Sequence, residues 1–118
     1  MPPEVAKRLL DAAGARRRIQ TFTAGKDAHD FAASELLRSA VERQFEIVGE
    51  ALGRAAAEDP SLERQVPSLR QVVGLRNRLI HGYDSIDDEI IWDIVQTKLL
   101  PLNEKLRALL AGAGYPLE

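Results

Sequence analysis

Apolar residues recur every three or four positions along two long segments, and this spacing constrains the fold more than any other feature of the chain. The first stripe comprises Leu37, Val41, Phe45, Val48, Leu52 and Ala55, and the second comprises Ile91, Val95, Leu99, Leu102, Leu106 and Leu109. Such spacing places each set on one face of an α-helix. No segment shows sustained alternation of apolar and polar residues, the pattern of a half-buried strand. The sequence therefore predicts an all-α protein.

Helix start and stop signals define the other segments. The first stripe predicts a helix over residues 34–58. Pro67 suits the first turn of a shorter helix, whose inner side is marked by Leu69, Val72, Val73, Arg76 and Ile80. A less regular stripe predicts an N-terminal helix over residues 3–20, followed by a loop and one helical turn around His29. Connections are short, so we expect an antiparallel bundle of four to five helices that forms one domain of 118 residues.

The second stripe differs from the first because it contains a proline. Ser85 or Asp87 can cap the start of its helix. Pro101 should kink or split that helix, since proline removes a backbone donor and clashes with the preceding turn. Gly112 should end it, and residues 113–118 are expected to form a frayed tail.

Composition limits the classes of function. The chain has no cysteine, which is consistent with a reducing cytoplasm and removes thiolate chemistry. Neither a signal peptide nor an apolar run long enough for a membrane span is present, so we expect a cytoplasmic protein without a membrane partner. The net charge is −2, so any affinity for nucleic acid must come from a local patch.

Two glycines inside the first long helix need a physical reason. Gly49 and Gly53 are each worse than alanine by about 1 kcal/mol in a helix interior. Because they lie four residues apart, they share a face where another backbone can approach closely. Either the monomer packs tightly there, or a second subunit does. Glu42, Glu46 and Glu50 lie near that face, and an arginine from a partner would explain them.

Charge is distributed unevenly along the chain. From residue 64 to residue 83 there are four arginines and no acid, whereas residues 84–93 contain five acids and no base. The basic block could contact a phosphate chain, with Arg64, Arg70 and Arg78 as candidates for RNA binding. Compensation of helix dipoles is the alternative, and it does not explain Arg64 and Arg70, which precede or begin their helix.

Residues 76–83, Arg-Asn-Arg-Leu-Ile-His-Gly-Tyr, contain one of only two histidines in the chain. Gly82 readily adopts the left-handed conformation that ends a helix, so His81 should lie on the last turn. Histidine can transfer protons near neutral pH, and Arg76 offers a fork of donors to phosphate oxygens. One histidine cannot easily act as both acid and base, so a twofold dimer would have to pair His81 with its symmetry mate. An ordinary helix end remains the alternative.

Three segments, at positions 48–51, 74–83 and 90–93, carry a family resemblance. Together they resemble the HepT family of the HEPN superfamily, over roughly residues 31–110. The family motif Arg-x4-His-x-Tyr is matched without a gap by Arg76, His81 and Tyr83.

The resemblance implies a dimeric helical protein that acts as a metal-independent endoribonuclease and needs no cofactor. HepT-like proteins are toxins of two-gene toxin–antitoxin systems, and their antitoxin is a minimal nucleotidyltransferase of the MntA type that attaches AMP to the motif tyrosine. Carried onto this chain, the resemblance makes His81 the acid–base residue and Arg76 the cation that stabilises the transition state. Asn77 would orient the motif or the phosphate, and Tyr83 would be the site of AMPylation.

Other interpretations are open at this point. The chain could be a non-catalytic helical dimer that binds nucleotide or a nucleotidyltransferase partner. A DNA-binding regulator is disfavoured because no helix-turn-helix pattern is visible. His29 has no second ligand at metal-binding spacing, and Trp92 is expected in a core or a dimer interface. Residues 16–18, three arginines, suit a solvated face but could extend an RNA path.

Overall fold

The computed structural model describes residues 1–82 and 86–117, and in these residues the regular secondary structure is α-helical. In chain order, the helices are α1 (Pro3–Thr23), α2 (Ala28–Ala33), α3 (Glu35–Glu58), α4 (Leu62–Gln65), α5 (Leu69–His81), α6 (Asp88–Thr97) and α7 (Leu99–Gly112). Five of these have ten or more residues, and α2 and α4 are short connecting helices. The predicted all-α fold is confirmed.

Side-chain caps and a proline fix where the helices begin. The Ser34 hydroxyl accepts a hydrogen bond from the Leu37 N–H at 3.0 Å and starts α3. The Asp87 carboxylate accepts one from the Glu89 N–H at 2.9 Å and starts α6, as its position in the sequence suggested. Pro101 lies in the first turn of α7, where proline is tolerated, so the second apolar stripe is split into α6 and α7.

The long helix α3 lies between α1 and α5, and the core forms around it. The largest fully buried side chains are Phe31, Phe45, Leu9, Ile19, Leu52, Leu62, Ile91, Ile94, Leu99, Leu102, Leu106 and Leu110. The ring of Phe31 in α2 packs against that of Trp92 in α6, with centroids 5.3 Å apart. Trp92 therefore helps to attach α6 to the core, which confirms the packing interpretation of this residue.

Gly49 brings α3 and α5 together within the monomer. A β-carbon at position 49 would lie 2.2 Å from the Cβ of Arg76 and 3.1 Å from the carbonyl oxygen of Val72, too close for any side chain. Gly53 is different, because its nearest neighbours, the methyl groups of Val73, would be 3.9 Å from an added β-carbon. Close packing inside the monomer therefore explains Gly49.

The chain after α7 forms hydrogen bonds back to that helix. The Tyr115 N–H donates to the Leu110 carbonyl at 2.7 Å, and the Gly114 N–H donates to the Ala111 carbonyl at 3.1 Å. With Gly114 at a φ of 88°, this pattern is a Schellman motif, which satisfies carbonyls at the end of α7. Leu117 also packs against the core. Residues 113–115 are therefore anchored to the end of α7 and Leu117 contacts the core, while fraying of residues 113–118 stays a prediction.

Across residues 1–82 and 86–117, none of the helices has both the length and the apolar character needed to cross a bilayer.

Candidate active site

The C-terminal half of α5 carries the residues that the motif singles out. Its first half is held by buried Leu69, Val72 and Leu75. The helix ends at His81 because Gly82 takes a left-handed φ of 63°, with its N–H donating to the Arg78 carbonyl at 3.0 Å. His81 is exposed on the last turn. The predicted helix end and the position of His81 are both confirmed.

Arg76 lies on the opposite, inner side of α5, against α3. Its Nη2 forms an ion pair with Glu50 Oε2 at 2.6 Å, and its Nη1 donates to Asn77 Oδ1 at 3.0 Å. The Nε atom is buried and has no hydrogen-bond partner among the described residues. The absence of a side chain at Gly49 makes room for the Arg76 stem. The guanidinium is therefore held in one place while part of it, about 27% of the side chain, stays exposed.

Glu50 is the residue that positions Arg76. It also accepts a hydrogen bond from Arg54 Nε at 2.6 Å, one turn along α3. This hydrogen bond, followed by the charges of Arg76, Arg54 and Arg8, lowers the pKa of Glu50 although partial burial opposes the shift. Glu50 therefore remains a carboxylate and an acceptor near neutral pH. An arginine of the same chain thus accounts for this glutamate, and no partner's arginine is required.

A groove of about 500 Å³ opens in front of Arg76, between α1, α3 and α5. Its wall includes three further arginines, Arg8 and Arg18 from α1 and Arg43 from α3. Glu46 pairs with Arg43 at 3.3 Å, and Ile80 of α5 contributes an exposed apolar surface. Sequence reasoning missed Arg8 and Arg43, because they come from helices far from the motif and join it only in the folded chain.

The three arginines predicted to bind RNA occupy different environments. Arg78 is exposed on α5 beside the motif, and Arg64 is exposed on the short helix α4. Arg70 forms an ion pair with Glu63 at 2.9 Å, and this contact raises the pKa of Arg70. Glu63 directly precedes the basic block of residues 64–83, so the count of charges in that block did not include it. Arg70 is therefore partly compensated, whereas no ion pair is found for Arg64 and Arg78 among the described residues.

The remaining predictions concern Tyr83 and His29. Tyr83, the predicted modification site, lies outside the described residues. His29 is exposed on α2, and the described part of the chain brings together no group of three His, Asp or Glu side chains suited to a metal ion.

Comparison with known proteins gives the family. The family described as "Ribonuclease HepT-like" matches residues 13–109, which include all of α3, α5 and α6. The chain belongs to the HepT-like ribonuclease family.

Related proteins agree with that assignment to the HepT-like family. A protein of Thermococcus cleftensis named a probable ribonuclease HepT is 31% identical over 101 residues, which cover 86% of this chain and 91% of the relative. A protein of Methanocaldococcus jannaschii named as a candidate RNase is 36% identical over 90 residues, or 75% of this chain and 80% of the relative. A third, from Caldanaerobacter subterraneus and also named as a candidate RNase, is 29% identical over 86 residues, or 73% and 76%. No solved structure matches the chain significantly.

The HepT-like match confirms the resemblance that the motif carried. It also places Gly49, Glu50, Arg76 and His81 inside the matched residues.

Proposed function

We propose that this protein is a metal-independent endoribonuclease whose site combines Arg76 and His81 from two copies of the chain. The observation that carries the proposal is the fixed position of Arg76. Its guanidinium is held by Glu50 at 2.6 Å on the wall of a groove lined by arginines, five residues before an exposed histidine at the end of the same helix. Cleavage at a phosphodiester requires a fixed cation and an acid–base group at the same phosphate, and pairing two copies of the chain would bring Arg76 and His81 to it.

The chemistry follows from these two side chains. A neutral imidazole of His81 takes the proton of a ribose 2′-hydroxyl, and the oxygen attacks the adjacent phosphorus. Arg76 stabilises the negative charge of the pentacoordinate phosphorane with its fork of donors. A protonated imidazole gives its proton to the departing 5′-oxygen. The products are a 2′,3′-cyclic phosphate and a 5′-hydroxyl, so bonds and protons balance without a further reactant.

A second copy of the chain supplies the second imidazole. The two proton transfers require one neutral and one protonated histidine, and each chain has one histidine in the motif. The exposed position of His81 at the end of α5 leaves it accessible to a symmetry-related site. Asn77, which accepts a hydrogen bond from Arg76, acts as a positioning residue for the guanidinium.

As a member of the HepT-like family, the protein would act as the toxin of a toxin–antitoxin system. An MntA-like nucleotidyltransferase would silence it by attaching AMP to Tyr83. The phosphate and bulk of AMP, two residues from His81, would repel and obstruct an RNA phosphate. Arg64, Arg70 and Arg78 are the further candidates for contacts to RNA, with Arg70 the weakest because Glu63 already pairs with it.

Cleavage in a chelator tests the proposal. Purified protein is incubated with tRNA or mRNA in EDTA, and the product ends are analysed for 2′,3′-cyclic phosphate. We expect such ends from the parent protein, and a specific activity that falls on dilution below the dimer dissociation constant. If RNA binds but is never cut, the protein is instead a non-catalytic helical dimer that binds nucleotide or a nucleotidyltransferase.

Co-expression with a nucleotidyltransferase encoded beside this chain's gene tests the regulation. Intact mass should rise by the mass of one or more AMP groups in the parent and not in Tyr83→Phe. A mass increase that persists in Tyr83→Phe would place the modification elsewhere.

A further inference from the structure

A second groove, of about 340 Å³, borders α1 next to the Arg76 groove. It is formed by α1, α7 and the anchored tail, and its charged residues are Arg16, Arg17 and Arg107. We call it the α1–α7 groove. Leu10 and Gly14 line both grooves, so the two are adjacent across the ridge of α1.

The arginines of the α1–α7 groove repel one another. Burial of Arg16 and the charges of Arg17 and Arg107 all lower the pKa of Arg16. Its Nη1 donates to the side-chain oxygen of Gln20, whereas its Nε is buried without a hydrogen-bond partner among the described residues. Three cations and a buried, unsatisfied donor are an unfavourable arrangement that a bound anion would relieve.

Asn103, which also lines this groove, has an unsatisfied acceptor. The Oδ1 atom of Asn103 is buried and accepts no hydrogen bond in the part of the chain that the structure describes. Both atoms are out of reach of solvent, so a ligand meets them only after these two side chains rotate toward the groove. A phosphodiester oxygen could then accept from Arg16 Nε but could not donate to Asn103. A ribose 2′-hydroxyl can donate, and it can also accept, so it suits the amide of Asn103 in either orientation. Phosphate and ribose together fit the groove better than a bare anion does.

Gly14 supports a connection between the two grooves. It lies in the middle of α1, where glycine is worse than alanine by about 1 kcal/mol. No packing contact explains it, because a β-carbon added there would meet no atom within 4 Å. The lack of a side chain does keep the ridge low where a strand would have to cross.

We propose that the α1–α7 groove binds the ribose–phosphate backbone of the RNA substrate, away from the site of cleavage. The strand crosses α1 at Gly14 and continues into the groove of Arg76. This inference rests on the proposed function, since it extends the same substrate across a second surface. It assigns Arg16, Arg17 and Arg107 as phosphate contacts and Asn103 as a ribose contact.

Salt-dependent binding of single-stranded RNA tests the phosphate contacts. A labelled RNA oligonucleotide is titrated with His81→Ala protein, to avoid cleavage, at several KCl concentrations. The double variant Arg17→Gln/Arg107→Gln should bind more weakly, and the slope of log K against log salt should decrease by about 1.4, at roughly 0.7 per lost contact. Both side chains are exposed, so the fold should persist, as thermal unfolding would verify.

The matched control removes two charges elsewhere. Lys105 is on α7 near Arg107 but faces another surface, and Lys26 is in the loop after α1. Lys26→Gln/Lys105→Gln should leave the salt slope unchanged. If both double variants weaken binding equally, the effect is one of general charge and the proposed contacts are wrong.

Substitution of Asn103 tests the ribose contact. Asn103→Leu keeps the approximate shape of the side chain and removes its polar atoms. The preference for RNA over DNA of the same sequence should fall, with DNA affinity retained. An equal loss for both nucleic acids would overturn the assignment of Asn103.

The path between the grooves has its own test. Gly14→Glu should weaken RNA binding, because it places a charged side chain on the ridge, whereas Gly14→Ala should not. Binding unaffected by Gly14→Glu would contradict a strand that crosses there.

Two further measurements separate this inference from a small-anion site and from the proposed function. In the first, AMP and inorganic phosphate are added as competitors. If binding of either depends on Arg17 and Arg107 while RNA binding does not, the groove is a small-anion site and the RNA assignment is wrong. Cleavage by the parent is measured in parallel. RNA binding through the groove without any cleavage would refute the proposed function alone, and cleavage with binding insensitive to the groove variants would refute this inference alone.

Discussion

Gly49 and Arg76 are packed so closely that a β-carbon on the glycine would lie 2.2 Å from the β-carbon of the arginine. The contact joins α3 to α5 at the point where Arg76 also pairs with Glu50. The same glycine thus determines both the packing of the two helices and the position of the guanidinium.

Gly49→Ala should therefore destabilise the protein. The nearest atoms belong to the Arg76 stem and the Val72 backbone, which cannot move without shifting α5. Overpacking of this kind is unfavourable by about 1–3 kcal/mol, and at a distance of 2.2 Å we expect the upper part of that range, above the roughly 1 kcal/mol gained in helix propensity. Urea unfolding measures the change, and RNA cleavage should fall with it.

Gly53→Ala is the matched control on the same face of α3. Its new β-carbon would meet only Val73 methyl groups at 3.9 Å, an ordinary contact. This variant should gain up to about 1 kcal/mol from helix propensity. If the two alanine variants unfold at the same urea concentration, the close approach at Gly49 is not a constraint on the fold.

Glu50→Gln should impair catalysis more than stability. The Glu50–Arg76 pair is partly exposed, so its contribution to stability should be below about 1 kcal/mol. A freed guanidinium, however, no longer meets the phosphorane in a fixed geometry, and we expect kcat to fall by more than KM rises. Glu50→Asp, which retains the charge, should recover part of kcat. A purely structural role for Glu50 would instead lower the melting temperature of both variants and leave kcat per folded molecule intact.

The lowered pKa of Glu50 also predicts that the stability of the fold depends on pH. In the folded state the pKa of the Glu50 carboxyl lies below its ordinary value of 4.5. The ionised group therefore stabilises the fold at higher pH. That contribution is lost as pH falls through the folded-state pKa. The stability difference between parent and Glu50→Gln should be present at pH 7 and vanish in the acid range below pH 4.5, which thermal unfolding at a series of pH values would show. A difference that is constant with pH would contradict the assigned pairing.

Glu42, on the same helix, should behave in the opposite way. Burial, followed by the nearby charge of Asp88, raises its pKa, although Arg38 opposes the shift. A raised folded-state pKa means that the ionised group destabilises the fold near neutral pH and that this penalty disappears as pH falls. Glu42→Gln should therefore increase the melting temperature at pH 7 and have less effect in acid. A decrease at pH 7 would mean that the attraction of Arg38 exceeds burial.

The helices were predictable because their signals are local. Apolar spacing gave the long helices, Pro101 divided the second stripe, and Gly82 set the end of α5. The hydrogen bonds that Gly114 and Tyr115 donate back to α7 were not predicted, because they depend on the conformation of the chain after the helix.

The site was only partly predictable. His81 and Arg76 were identified from the motif, but the partner of Arg76 depends on which face of α3 meets α5. Likewise, Arg8 and Arg43 reach the groove from distant helices, and Glu63 compensates Arg70 from just outside the basic block. Such contacts between side chains of different helices cannot be predicted from the residue spacing within one helix.

Comparison of the two histidines tests the central claim most directly. The chain has only two histidines, His29 and His81, and both are exposed in the structure. Single-turnover cleavage of RNA in EDTA is measured for the parent, His29→Ala and His81→Ala. We expect His29→Ala to cut at the parent rate and His81→Ala to be slower by about 100-fold or more, the contribution of a general acid–base group. Equal rates for His81→Ala and the parent would contradict the account.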